Sequence, residues 1–114
     1  MSKFMYLFRS NPAAFRSMSP EQMQQLTKKW MGWADTLKKN GHFKQAGERL
    51  DEAGKVVRGK SKIITDGPFV EAKDSIGGYM LVEAKDLAQA VELAKGCPIL
   101  EGDGSVEIRP IVSM

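Results

Sequence analysis

Asp66-Gly67-Pro68-Phe69-Val70-Glu71 is the segment of this sequence with the clearest capacity for chemistry. Pro68 fixes its own φ and donates no backbone hydrogen bond, and it pushes Gly67 out of the helical region. The result is one rigid bend with a carboxylate on either side. Asp66 can do acid–base work from such a bend, with His42, the only histidine, as a second proton-transfer group. Aromatic walls from Trp33, Phe69 and Tyr79 and polar anchors from Glu71 and Arg109 would complete a pocket for a small polar or aromatic molecule. Each residue also has a plainer reading. Asp66 can satisfy backbone N–H groups as in an Asx turn. Trp33 shares a helical stripe with Trp30 and can be core. His42 can be a surface or strand-edge residue. Arg109 can pair with Glu107 or Glu71, and Arg9 has the same choice.

Other chemistry finds little support. A single cysteine, Cys97, and a single histidine cannot make a structural zinc site. Cys97 lies past a helix C-terminus, the wrong end for stabilising a thiolate, and reads as structural. There is no P-loop, no H-E-x-x-H and no G-x-G-x-x-G, so neither metal nor nucleotide cofactor is expected. One cysteine also excludes an internal disulfide and suits a reducing cytoplasm. No apolar run approaches membrane-spanning length, and the apolar N-terminus reads as a strand rather than a signal peptide. Residues 1–60 hold 12 Lys/Arg against 5 Asp/Glu, and residues 61–114 hold 5 against 9. The basic residues fall on solvated helix positions, so this asymmetry is not read as a nucleic-acid face.

The chain of 114 residues, 42% hydrophobic and 27% charged, has the size and balance of one globular domain spanning 1–114. Residues 3–9 read as an aromatic strand that Asn11-Pro12 breaks. Ser19-Pro20-Glu21-Gln22 starts a helix with a capping box and proline at the first helical position. Met23, Leu26, Trp30, Trp33 and Leu37 recur along one stripe of it, and Asn40-Gly41 ends it. His42–Leu50 and Lys55–Thr65 read as two extended stretches joined by a turn at Asp51-Glu52-Ala53-Gly54. Tyr79–Val82 suits a central strand. A second helix over Asp86–Lys95 would bury Leu87, Val91 and Ala94, with Ala90 beside them. Ser105–Val112 is the last strand. This order predicts an α+β fold: a ferredoxin-like sheet with two helices on one face and an extended central hairpin. The other sheet face needs a cover, and a second copy of the chain would supply it.

The chain resembles the YCII-related proteins, in particular the branch named for its D-G-P-F motif. The resemblance rests on the aromatic first strand, the Ser19-Pro20-Glu21-Gln22 helix start and the helix tryptophans. It continues through Asp66-Gly67-Pro68-Phe69, Glu71-Ala72-Lys73-Asp74 and Gly77-Gly78-Tyr79 to Val106-Glu107-Ile108-Arg109-Pro110. It implies a homodimeric α+β barrel with two ferredoxin-like sheets face to face. Some relatives are implicated in ring-cleavage or dehalogenation chemistry through a helix histidine paired with an aspartate. Others are associated with alternative sigma factors. The first helix here has no histidine, so a dyad would have to use His42 with Asp66, and that weakens the enzymatic expectation. Two further readings stand beside ligand binding: a regulatory or interaction module connected to transcription, and a structural dimer without catalysis.

Overall fold

The computed structural model describes residues 1–67 and 75–113. Strand β1 (Ser2–Ser10) leads through a short helix α1 (Pro12–Arg16) to the long helix α2 (Pro20–Lys39). Strands β2 (Phe43–Gln45), β3 (Gly54–Arg58), β4 (Ile63–Gly67) and β5 (Ser75–Ala84) follow. Helix α3 (Leu87–Ala94), a 3₁₀ turn (Pro98–Glu101) and strand β6 (Ser105–Pro110) complete the chain. β2, β5, β1 and β6 form an antiparallel sheet in that order, while β3 and β4 form a separate two-stranded sheet. Without β3 and β4, this is the ferredoxin-like order, with both long helices on one face.

Local signals account for the helix ends. Ser19 Oγ accepts from the Gln22 N–H, and the Gln22 side chain accepts from the Ser19 N–H. Asn11, expected only to break β1, caps α1 by accepting from the Ala13 N–H. Asp86 caps α3 through the Gln89 N–H.

The core lies between the sheet and the helices. Phe4, Tyr6 and Phe8 alternate inward on β1, and Met80, Val82 and Ala84 do so on β5. Trp33 and Leu37 meet them from α2, and Ala90 and Ala94 from α3. Tyr6 stacks on Trp33 at 5.9 Å. The Tyr6 hydroxyl donates to the Ala90 carbonyl at 2.6 Å, and the Trp33 indole N–H donates to that of Leu93 at 3.1 Å. Burial, together with the nearby Cys97 thiol, pushes the Tyr6 hydroxyl up to about 12.

Two expectations change. Lys55–Thr65 is not one returning strand: it folds on itself around Gly59–Lys62, where Gly59 and Lys62 both have positive φ. Asp51–Ala53 instead leads into that hairpin. In α3, Leu87 and Val91 are 46% and 37% exposed, and the buried residues are Ala90 and Ala94. Small residues are needed where the helix comes close enough for the Tyr6 hydroxyl to reach its backbone.

Candidate functional site

The helix layer does not close over the whole sheet. Met23, Leu26 and Trp30, on the first turns of the α2 stripe, are only half-buried. They form one wall of an open cleft of about 1020 Å³. Phe8 and Met80 lie at its back, Phe15 and Arg16 of α1 at one side, and Glu48–Glu52 along its lip. The back wall is a run of edge-to-face ring contacts. Phe8 meets Trp30 edge-on at 4.8 Å, and Trp30 meets Trp33 edge-on at 5.7 Å.

The lip is a strap, residues 46–50, bound backbone to backbone to the start of β5. The Leu50 N–H donates to Gly77 at 2.8 Å, and the Tyr79 N–H donates to Glu48 at 3.2 Å. Gly47 has φ +70, and a Cβ there would stand 1.9 Å from the Tyr79 carbonyl oxygen. Glycine is required on both counts. The start of β5 carries a bulge, with the β1 register shifting between Phe8 and Arg9, so Gly77 is the extra residue opposite.

The charges at the mouth are partly committed. Arg16 pairs with Glu52. Arg49 lies over the Phe15 ring at 5.7 Å, with no carboxylate partner among the described residues. Asp51 accepts from the Ala53 N–H. An aromatic wall, a hydrophobic floor and a few charged groups at the rim suit a ligand with an apolar body and a polar end.

Of the residues singled out in the sequence, Tyr79 lines this cleft. Trp33 is 8% exposed and belongs to the core; its neighbour Trp30 faces the cleft instead. Asp66 is on the β3–β4 hairpin, its side chain 89% exposed and paired with Lys55, its cross-strand neighbour. His42 is at the end of α2, where its Nδ1–H donates to the Glu83 carbonyl at 2.8 Å. Asp66 and His42 share no hydrogen bond among the described residues, and each is held by its own partner. Arg109 is on the sheet face away from the helices. There Glu107 accepts from Arg9 at 3.1 Å and from Arg109 at 3.3 Å. Those two bonds hold the Glu107 carboxyl below the usual carboxylate range. Phe69 and Glu71 lie outside the described residues. Cys97 is buried, and burial pushes its thiol up to about 12.

Sequence reasoning missed Phe15, Arg49 and the strap. Gly47 was the available signal: an isolated glycine between extended residues marks close backbone approach.

No three His, Cys, Asp or Glu side chains converge as a metal site among the described residues. No helix among them is long and apolar enough to cross a membrane. A family model described as a YCII-related domain matches residues 2–114. No curated protein matches the chain at a significant level.

Proposed function

The chain belongs to the YCII-related family, and from that premise we propose that it binds a small molecule with an aromatic or apolar body and a polar end. The cleft between α2 and the strap is the binding site in this reading. One observation carries it: a volume of about 1020 Å³ walled by Phe8, Phe15 and Trp30, with Phe8 and Trp30 packed edge-on. Acid–base work by Asp66 and His42 is the weaker part of the proposal. The ion pair of Asp66 with Lys55 and the commitment of the His42 Nδ1–H to Glu83 both weigh against it.

Titration with anilinonaphthalene sulfonate, an apolar ring system with one anionic group, tests the cleft. Saturable binding is expected, with quenching of tryptophan emission from Trp30. Leu26→Glu puts a charge on the half-buried wall and should weaken binding by about tenfold or more. Absence of saturable binding, or equal affinity in the variant, would contradict the reading.

The same proposal includes a homodimer. Met5, Leu7, Tyr79 and Leu81 alternate with core residues on β1 and β5, facing away from the helices, and all four are only half-buried. A second copy is the partner that fits them. Sedimentation equilibrium at micromolar concentration should give twice the chain mass, and a monomer there would contradict it.

A further inference from the structure

We propose that the ligand of the cleft is a carboxylic acid. Its apolar rings lie against Phe8 and Trp30, and its carboxylate is taken by the hydroxyls of Ser10 and Ser75 together with the Arg49 guanidinium at the lip. This rests on the cleft reading above and names the class of its ligand.

The helix-facing side of the β1–β5 pair is a ladder. Phe4 stands opposite Val82, Tyr6 opposite Met80, Phe8 opposite Gly78, and Ser10 opposite Ser75. Phe4, Tyr6 and Phe8 make the first three rungs part of the core. The fourth rung is two hydroxyls. It stands on this side only because of the bulge at Gly77. Side chains alternate along a strand, so an unbroken register from Gly78 would set Ile76 opposite Ser10 and turn Ser75 to the other face. Instead Ile76 is opposite Arg9, and Ser75 comes round to the cleft side.

Both serines line the cleft. Ser75 is 8% exposed. Neither hydroxyl makes a hydrogen bond among the described residues. A hydroxyl sealed from water without a partner is costly. No side-chain nitrogen or oxygen among the described residues is left in that position. The Ser75 Oγ is therefore not sealed in; it opens to the cleft that it lines. A serine nine-tenths buried, with its hydroxyl unbonded and facing a cavity, is a donor available to a ligand.

The strap sets a cation beside this rung. Arg49 bridges to Gly78, three residues along β5 from Ser75. Its guanidinium lies over Phe15, a wall of the cleft, at 5.7 Å. It has no carboxylate partner among the described residues. Arg16 and Glu52 neutralise each other, and Asp51 accepts from the Ala53 N–H. Glu48 is exposed, and no contact among the described residues draws its side chain toward the serines. One guanidinium offsets one negative charge, which is the charge of a carboxylate. A phosphate monoester brings about −1.5 to −2, more than this rim can offset. The two oxygens of a carboxylate can accept from both hydroxyls and the guanidinium at once, and bonds to a charged acceptor are the stronger kind.

Calorimetric titration with 2-naphthoate and with its uncharged analogue 2-naphthamide tests this. The two compounds share their rings and differ in charge. The acid should bind about tenfold tighter than the amide. The doubly substituted Ser10→Ala, Ser75→Ala protein and the Arg49→Gln protein should each lower that advantage at least about fivefold, while affinity for the amide changes by less than about threefold. The urea midpoint of the serine variant should not fall, because the hydroxyls hold nothing in the fold; a fall makes them structural and overturns the proposal. Equal affinity for acid and amide, or an advantage unchanged in either variant, overturns the anchor and leaves the cleft standing. Tighter binding of 2-naphthyl phosphate than of 2-naphthoate overturns the carboxylate assignment. Binding of none of these compounds overturns both the anchor and the cleft.

Discussion

Between the strap and Tyr79 there is no room for a methyl group at Gly47. Alanine there would need a left-handed backbone and a carbonyl oxygen displaced from 1.9 Å. Gly47→Ala should cost about 1–3 kcal/mol, measured as a lower urea midpoint. It should also abolish binding of anilinonaphthalene sulfonate, because the lip of the cleft moves. Unchanged binding would mean that the strap does not shape the site. Cys97 makes the opposite kind of prediction. Its thiol is buried and its pKa is about 12, so native protein should not react with a disulfide-exchange reagent at neutral pH. Reaction should begin only with denaturation. Little of this could be read from the residues one at a time. Asp66 and His42 carry suitable functional groups, but chemistry depends on neighbours. The neighbours of Asp66 and His42, a cross-strand lysine and a strand carbonyl, appear only once the chain is paired. Trp30 and Trp33 look equivalent on the stripe; the sheet edge decides that one is core and the other cleft wall.

Elements were legible where their signals are local. Ser19, Pro20 and Gln22 set the start of α2 within a single turn, and the structure begins it there. The hairpin was misplaced because two good turn sequences compete. Asp51-Glu52-Ala53-Gly54 looks like a turn, yet Gly59 and Lys62 hold the positive φ values that reverse the chain. In α3, Leu87 and Val91 have the hydrophobicity of a buried face, but the close approach to Tyr6 favours the alanines. At the edge strand β6, Glu107 joins Arg9 on the neighbouring strand β1 and Arg109 on its own strand. Its pKa is lowered from 4.5, so these contacts contribute stability that is present above that value. The contribution is lost as the pH falls through the depressed folded value. Glu107→Gln should therefore flatten the acid limb of stability below about pH 4.5, measured by denaturant unfolding across that range. An identical acid limb in the variant would show that the clamp adds nothing.

At the scale of the molecule, the core is one continuous cluster that includes both long helices and both central strands. Leu37, 2% exposed, belongs to it, and Leu37→Ala should cost about 2–5 kcal/mol. Tryptophan emission and far-ultraviolet dichroism should then shift to the same lower midpoint. Separate midpoints would reveal two cooperative units. The order of the main sheet was legible because it follows from the order of elements. The cleft was not, because its walls come from α1, α2, the strap and β5, which are far apart in sequence. The strap also separates two kinds of change that the chain can accept. It fastens to Gly77, Gly78 and Tyr79 ahead of the β3–β4 hairpin, and the Gly77 bulge sets the phase of β5 against β1. The hairpin strands, Gly54–Arg58 and Ile63–Gly67, thus stand outside a βαββαβ frame that pairs without them. Their sequence can drift while the cleft keeps its floor and its aromatic wall.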